Sequence, residues 1–253
     1  MLLSSTVQSL YRLAATLWTA SEAALEFAWM RSRGAVSPTR RAEWLRRVCT
    51  RTLRRVGVEV RYEGQVPRDG LIVANHLSYA DIIALSSIMP CAFVAKKEVR
   101  SWPIFGWIAA TAGTLFVDRE RRLETAKFNQ SVDEALRSGL RVVLFAEGTS
   151  SDGSAVLPFR PSLFEPAIVS GAAITPAWIG YEASSGSVAN DVCYWGEMTL
   201  VPHLFRMFAI RTIGVKVRFG SAMSGMQDRK QAAEATRNEV VRLANIDTTV
   251  AAK

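Results

Sequence analysis

The stretch LIVANHLSYADIIAL, residues 71–85, decides how the chain is read. LIVAN is a short apolar run of the kind that forms a buried strand. Ser78 followed three residues later by Asp81, just ahead of the apolar IIAL, is a helix-opening pattern, so a helix is expected from about Ser78. His76, one of only 2 histidines in the chain, then falls in the turn between strand end and helix start, where a side chain can face a cleft. Asp81, about one helical turn further on, is placed to hold one imidazole nitrogen. A carboxylate there fixes the tautomer and raises the basicity of the other nitrogen, which a general base near neutral pH requires. The same residues also admit a structural reading, with Asp81 capping its helix and His76 hydrogen-bonded in a turn.

Working outward, β-branched or aromatic runs (VEVRYEG, LIVAN, AFVAK, TLFVD, RVVLFAEG, AAITPAWIGY, VKVRFG) alternate with helical stretches near 79–88, 121–138, 162–170 and 226–244. That alternation predicts an α/β domain over residues 57–253, built on a single mixed, mainly parallel sheet flanked by helices. The chemistry is expected where the strands run out.

Residues 1–56 have a different character. They carry ten Arg and three Glu, hence +7, and the remainder contributes 21 basic and 20 acidic groups, so that the total of +8 is almost wholly N-terminal. In the first 21 residues Val7, Leu10, Tyr11, Ala14, Leu17 and Trp18 recur at helical spacing around the single charge Arg12. Glu22 and Glu26 interrupt the pattern, so a helix lying at a membrane surface is expected rather than a spanning one. No basic segment precedes the apolar part, which argues against a signal peptide. Ser37 and Pro38 then signal a second helix to about Arg55, with Trp44, Leu45, Val48, Thr52 and Val56 on one face. Its arginines, Arg40, Arg47, Arg51, Arg54 and Arg55, suit either a solvated face or the phosphates of a lipid surface, with tryptophans turned into the lipid. Cys49, Cys91 and Cys193 are too scattered for a metal knuckle or a disulfide framework and are expected as buried thiols.

Four motifs in order carry a resemblance. Asn75-His76-Leu-Ser-Tyr-Ala-Asp81 resembles the N-H-x-x-x-x-D motif of the glycerolipid acyltransferase family typified by bacterial 1-acyl-glycerol-3-phosphate acyltransferase. GTLFVDR, with Gly113, Phe116 and Arg119, is similar to its G-x-x-F-x-x-R motif. FAEGTS, with Phe145, Glu147, Gly148 and Thr149, is similar to F-P-E-G-T-R, and ITPAWIGY with Pro176 to a proline-bearing apolar strand. The resemblance covers about residues 58–220, and an N-terminal helix pair is typical of bacterial members. It implies that His76 is a base oriented by Asp81, that Asn75, Gly113, Phe116, Arg119, Glu147, Gly148 and Thr149 belong to the substrate site, and that Arg119 meets an acceptor phosphate. It further implies transfer from acyl-CoA or acyl carrier protein to the hydroxyl of a membrane lysolipid, without metal or other cofactor, at the cytoplasmic face of the cell membrane.

One departure stands out. Ser150-Ser151-Asp152 follows E-G-T, where many members with phosphate-bearing acceptors have arginine, and VCYWGEMTLVPHLFRM looks like members that acylate lyso-ornithine lipid. Lysophosphatidate and lyso-ornithine lipid therefore both stand as acceptors. A serine hydrolase would want a G-x-S-x-G elbow, and a zinc enzyme would want paired ligands near His76 or His203. Neither pattern is present, and His203 is expected to be structural. A sequence pI near 9.8 would permit nucleic-acid binding, but the charge sits in a segment rich in apolar surface, which favours lipid over nucleic acid as partner.

Overall fold

Leu71–Ala74 is a strand with every residue buried, and its side chains alternate between two cores. Ile72 and Ala74 enter one with Leu85, Val143 and Phe145, and Leu71 and Val73 enter the other with Leu144, Phe164 and Ile174. A continuous apolar run is what a parallel strand covered on both faces demands. The computed structural model describes residues 5–102, 105–117 and 122–245. Two helices, α1 (Ser5–Ser32) and α2 (Pro38–Val56), precede β1 (Val58–Glu63), β2 (Leu71–Ala74), α3 (Ala80–Ile88), β3 (Ala92–Lys96), α4 (Phe105–Ala112) and β4 (Leu115–Val117). Then follow α5 (Arg122–Arg137), β5 (Val142–Phe145), α6 (Glu165–Ser170), β6 (Ile174–Ala183), α7 (Leu200–Ala209), β7 (Ile213–Phe219) and α8 (Arg229–Ala244).

Among the described residues the strands form one 7-stranded sheet in the order β1-β7-β6-β2-β5-β3-β4. Every pair is parallel except β6 with β7, so the sheet is mixed and mainly parallel. From β2 the chain crosses through α3 to β3 on one side; from β5 it crosses through α6 to β6 on the other. Strands β2 and β5 are neighbours whose connections leave in opposite directions and pass each other on the way to β3 and β6; in open α/β sheets ligands bind beyond the carboxyl ends of the strands where the strand order reverses.

Helix α3 starts two residues later than its sequence suggests. Its N-cap position is Tyr79 without a side-chain cap bond, and among the described residues the Ser78 hydroxyl finds no partner. Asp81 instead reaches back to the Leu77 and Ser78 N–H groups, completing only the acidic half of the expected pattern. Helices α4 and α7 were not expected; Pro202 lies in the first turn of α7, where its missing N–H costs nothing.

Helix α2 begins as expected, with Ser37 Oγ accepting the Arg40 N–H at 3.3 Å, and ends on Gly57 in the left-handed conformation at φ 69°. Trp44 is fully buried against Phe27, ring centroids 5.2 Å apart, so it faces the protein core and not lipid. Arg47 and Arg51 bind Glu26 at 2.6 and 2.7 Å, and Arg55 binds Glu22 at 2.7 Å. The two glutamates that interrupt the apolar pattern of α1 are thus the residues that hold α2 against it.

Helix α1 is inverted relative to an ordinary surface helix. Its buried positions are Ser9, Arg12, Thr19, Ala23 and Met30, whereas Val7, Leu10, Tyr11, Leu17, Trp18, Leu25 and Trp29 all face outward, with Leu25 73% exposed. Arg12 donates to the carbonyls of Phe208 at 3.1 Å and Arg211 at 3.0 Å and to that of Ile210, and Gln8 donates to Ile210 O at 2.8 Å. These are the unpaired carbonyls that a helix end such as that of α7 leaves behind. No described helix is long and apolar enough to cross a membrane.

Candidate active site

The β2–β5 register places the site. Ala74 lies opposite Phe145, so two residues on His76 lies opposite Glu147, and Glu147 Oε2 accepts the His76 N–H at 3.2 Å. Its other oxygen accepts the Leu157 N–H at 3.0 Å. Burial pushes the Glu147 carboxyl up to about 7, against the opposing pull of those two N–H groups. On the β6 side, the Asn75 amide donates to Ile179 O at 2.9 Å and accepts from Ile179 N–H at 2.8 Å, extending the sheet pairing one step past β2.

Asp81 is fully buried and accepts four hydrogen bonds. Oδ2 receives His76 Nδ1–H at 2.8 Å, Leu77 N–H at 2.7 Å and Ser78 N–H at 3.0 Å, while Oδ1 receives the Tyr181 hydroxyl. Burial and the Asp81 charge push the Tyr181 hydroxyl far above its usual range, so it stays a donor. The His76 ring stacks on Phe145, centroids 4.0 Å apart and 14° from parallel. With the proton of Nδ1 committed to the carboxylate, the lone pair lies on Nε2. Among the described residues nothing hydrogen-bonds Nε2, and the His76 side chain keeps 21% of its surface open to solvent. Ser151 N–H donates to His76 O at 3.0 Å, lashing the loop after β5 to the turn that bears His76. An oriented imidazole with a free lone pair at an open crevice can take a proton from a hydroxyl.

The other sequence-predicted residues divide into two groups. Glu147 meets the His76 backbone, Asn75 next to it pairs with Ile179 of β6, and Gly148, at φ 74°, makes the tight turn that follows Glu147, with Thr149 exposed beside it. Gly113, at φ 86°, turns the chain from α4 into β4. Phe116 lies in β4, the edge strand two places beyond β5, with the Arg100 guanidinium 5.8 Å from its ring. No hydrogen bond or ring contact joins Gly113 or Phe116 to His76 among the described residues. Arg119 lies outside the described residues. Tyr181 was missed by the sequence reading, and the one available signal was the alternation Ala177, Ile179, Tyr181 along β6, an apolar series ending in a hydroxyl.

His203 is fully buried; its Nδ1 accepts from Tyr79 OH at 3.0 Å and its Nε2 donates to Cys193 O at 2.9 Å. Burial lowers its pKa, so it is a neutral structural residue. The three cysteines are free and buried, with the thiols of Cys49 and Cys193 each pushed up to about 12 by burial.

Residues 57–180 match the family model described as Acyltransferase. The chain is 38% identical over 184 residues to a lyso-ornithine lipid O-acyltransferase of Brucella abortus, covering 67% of this chain and 69% of that protein. It is 34% identical over 165 residues to a 1-acyl-sn-glycerol-3-phosphate acyltransferase of Neisseria gonorrhoeae, covering 65% of this chain and 64% of the relative. Among solved structures, the 1-acyl-sn-glycerophosphate acyltransferase PlsC of Thermotoga maritima aligns over 94% of this chain and 98% of its own, with TM-score 0.63 and 20% identity, a likeness of fold.

Proposed function

The chain belongs to the acyltransferase family, and from that premise we propose that it moves a fatty acyl group from a thioester donor, acyl-CoA or acyl carrier protein, to the free hydroxyl of a lysolipid. The observation that carries this reading is the 2.8 Å contact of His76 Nδ1 with buried Asp81. Nε2 takes the hydroxyl proton as the alcohol oxygen attacks the thioester carbonyl. Collapse of the tetrahedral intermediate breaks the carbon–sulfur bond, and the imidazolium returns the proton to the departing thiolate. The acceptor is itself the nucleophile, so no acyl-enzyme forms.

Such base catalysis contributes roughly 10²- to 10⁴-fold, and holding both substrates in place supplies much of the rest. Arg119 is the candidate contact for an anionic acceptor headgroup. The outward apolar face of α1 supports a position on a membrane surface, from which both amphiphiles reach His76; the cytoplasmic side belongs to the same proposal. The test is His76→Ala, assayed with a labelled thioester and a panel of lysolipids by mass spectrometry. Transfer is lost while the unfolding midpoint is kept; full activity in that variant overturns the base assignment.

A further inference from the structure

The segment after β6 is tied to the catalytic turn. Residues Val188–Val192 form one π-helical turn, and the chain then crosses the site. Tyr194 N–H donates to Leu77 O at 2.8 Å, and Ser150 Oγ donates to Tyr194 O. From α7, His203 fixes Cys193 O at 2.9 Å and accepts from Tyr79 OH at 3.0 Å. The stretch that follows is therefore anchored to the turn bearing His76 and to the loop after Glu147.

That stretch, Trp195 to Thr199, together with Arg206 of α7, lines an open cleft of about 390 Å³. Trp195 Nε1 donates to Ala189 O at 2.8 Å, which locks the indole edge and presents its ring as a fixed wall. Arg206 forms an ion pair with Asp191, Nε to Oδ1 3.7 Å, too long for a hydrogen bond; its side chain stays 46% exposed and no described acceptor takes its terminal N–H groups. Glu197 is exposed and has no ion pair among the described residues. The cleft lining thus offers one cation, one anion and one aromatic plane, with a second carboxylate, Asp191, beside the cation. A phosphate dianion there meets a net negative lining, whereas a headgroup with a separate carboxylate and ammonium brings a charge of each sign to Arg206 and Glu197. The carboxylate fits the Arg206 fork, and the ammonium fits Glu197 and the Trp195 face.

Taking the lysolipid-acyltransferase reading as given, we propose that the Trp195–Glu197–Arg206 cleft holds the zwitterionic amino-acid headgroup of the acceptor. The path from His76 through Leu77 and one hydrogen bond to Tyr194 and Trp195 is about 13 Å from backbone to backbone. That path bounds the separation at a length comparable to an amino-acid headgroup on a short hydroxyacyl arm, on the order of 10 Å.

The test is calorimetric titration of the purified chain with N-(3-hydroxyhexanoyl)-ornithine, a soluble probe bearing this headgroup. Wild type binds it; Glu197→Gln and Arg206→Gln each weaken binding about ten-fold, and the probe's methyl ester binds wild type about as weakly as the parent probe binds Arg206→Gln. Should either variant lose its fold, the methyl ester carries the same test on the unaltered chain. In transfer assays, the preference for lyso-ornithine lipid over lysophosphatidate falls about ten-fold in both variants. Equal binding of probe and ester, or no binding by wild type, overturns the proposal. Binding is read without turnover, so the two readings fail separately. A chain that binds the probe but acylates no lysolipid refutes the transfer reading alone, and one that acylates lysophosphatidate without binding the probe refutes the cleft alone.

Discussion

The turn that bears His76 and helix α1 treat polar groups in opposite ways. Around Asp81 a fully buried carboxylate gathers four donors and apolar side chains wall it in. On α1 the polar residues Ser9, Arg12 and Thr19 turn inward alongside Ala23 and Met30, and Val7, Leu10, Tyr11, Leu17, Trp18, Leu25 and Trp29 turn away from the protein. The turn is finished within the molecule. The helix leaves apolar area uncovered, at about 25 cal/mol per Å², for a surface the chain does not supply. Perturbing each region therefore has a distinct signature.

The largest effect is expected from Asp81→Ala, which strands four donors and frees the imidazole. Acyl transfer falls at least about 100-fold, and urea unfolding reports a loss of about 3 kcal/mol. An unchanged unfolding midpoint would show that the donors find other partners and that the turn is not closed on itself.

Next is the joint change Trp18→Ser, Leu25→Ser and Trp29→Ser. Folding stability shifts by no more than about 0.5 kcal/mol per site, because these side chains are exposed and their contacts are local to this segment, Trp18 with Glu22 and Trp29 with Arg33, while vesicle co-sedimentation weakens about 100-fold or more. Unaltered vesicle binding would break the contrast at its other end.

Glu147 yields a pH dependence. Its folded-state value of about 7, against an ordinary 4.5, means that the folded chain holds this proton more tightly than the unfolded one. The stabilising contribution is complete below about 4.5 and is lost as pH rises through about 7, by at most about 3 kcal/mol. Urea midpoints at pH 5 and pH 8 measure the slope, and Glu147→Gln removes it.

The smallest effect belongs to Tyr181→Phe, which leaves Asp81 Oδ1 without its donor. Stability falls by about 1 kcal/mol. The kcat falls about ten-fold with KM unchanged if Tyr181 acts by holding Asp81; a rise in KM alone would assign it to substrate binding instead.

The parts legible in the sequence were those written within one short window. His76 and Asp81 sit five residues apart, and the apolar run before them required a strand covered on both faces. What stayed hidden depended on partners far along the chain. The bond from His76 N–H to Glu147 rests on the β2–β5 register, and Tyr181 reaches Asp81 from 100 residues away. The spacing in α1 marked an apolar stripe, but its direction is decided by carbonyls at the end of α7, a helix whose sequence, with Pro202 inside, did not announce itself. The arginines of α2 read as free charges because Glu22 and Glu26 looked like interruptions and not like partners.

The grip of Arg12 and Gln8 on the end of α7 also sets a mechanical load path. A force applied to α1, whether by tilting or by lateral pressure, enters the domain through the carbonyls of Phe208, Ile210 and Arg211. The same helix carries Arg206 and His203 on its body, so whatever anchors α1 also stiffens the bed on which Tyr194 and Trp195 rest.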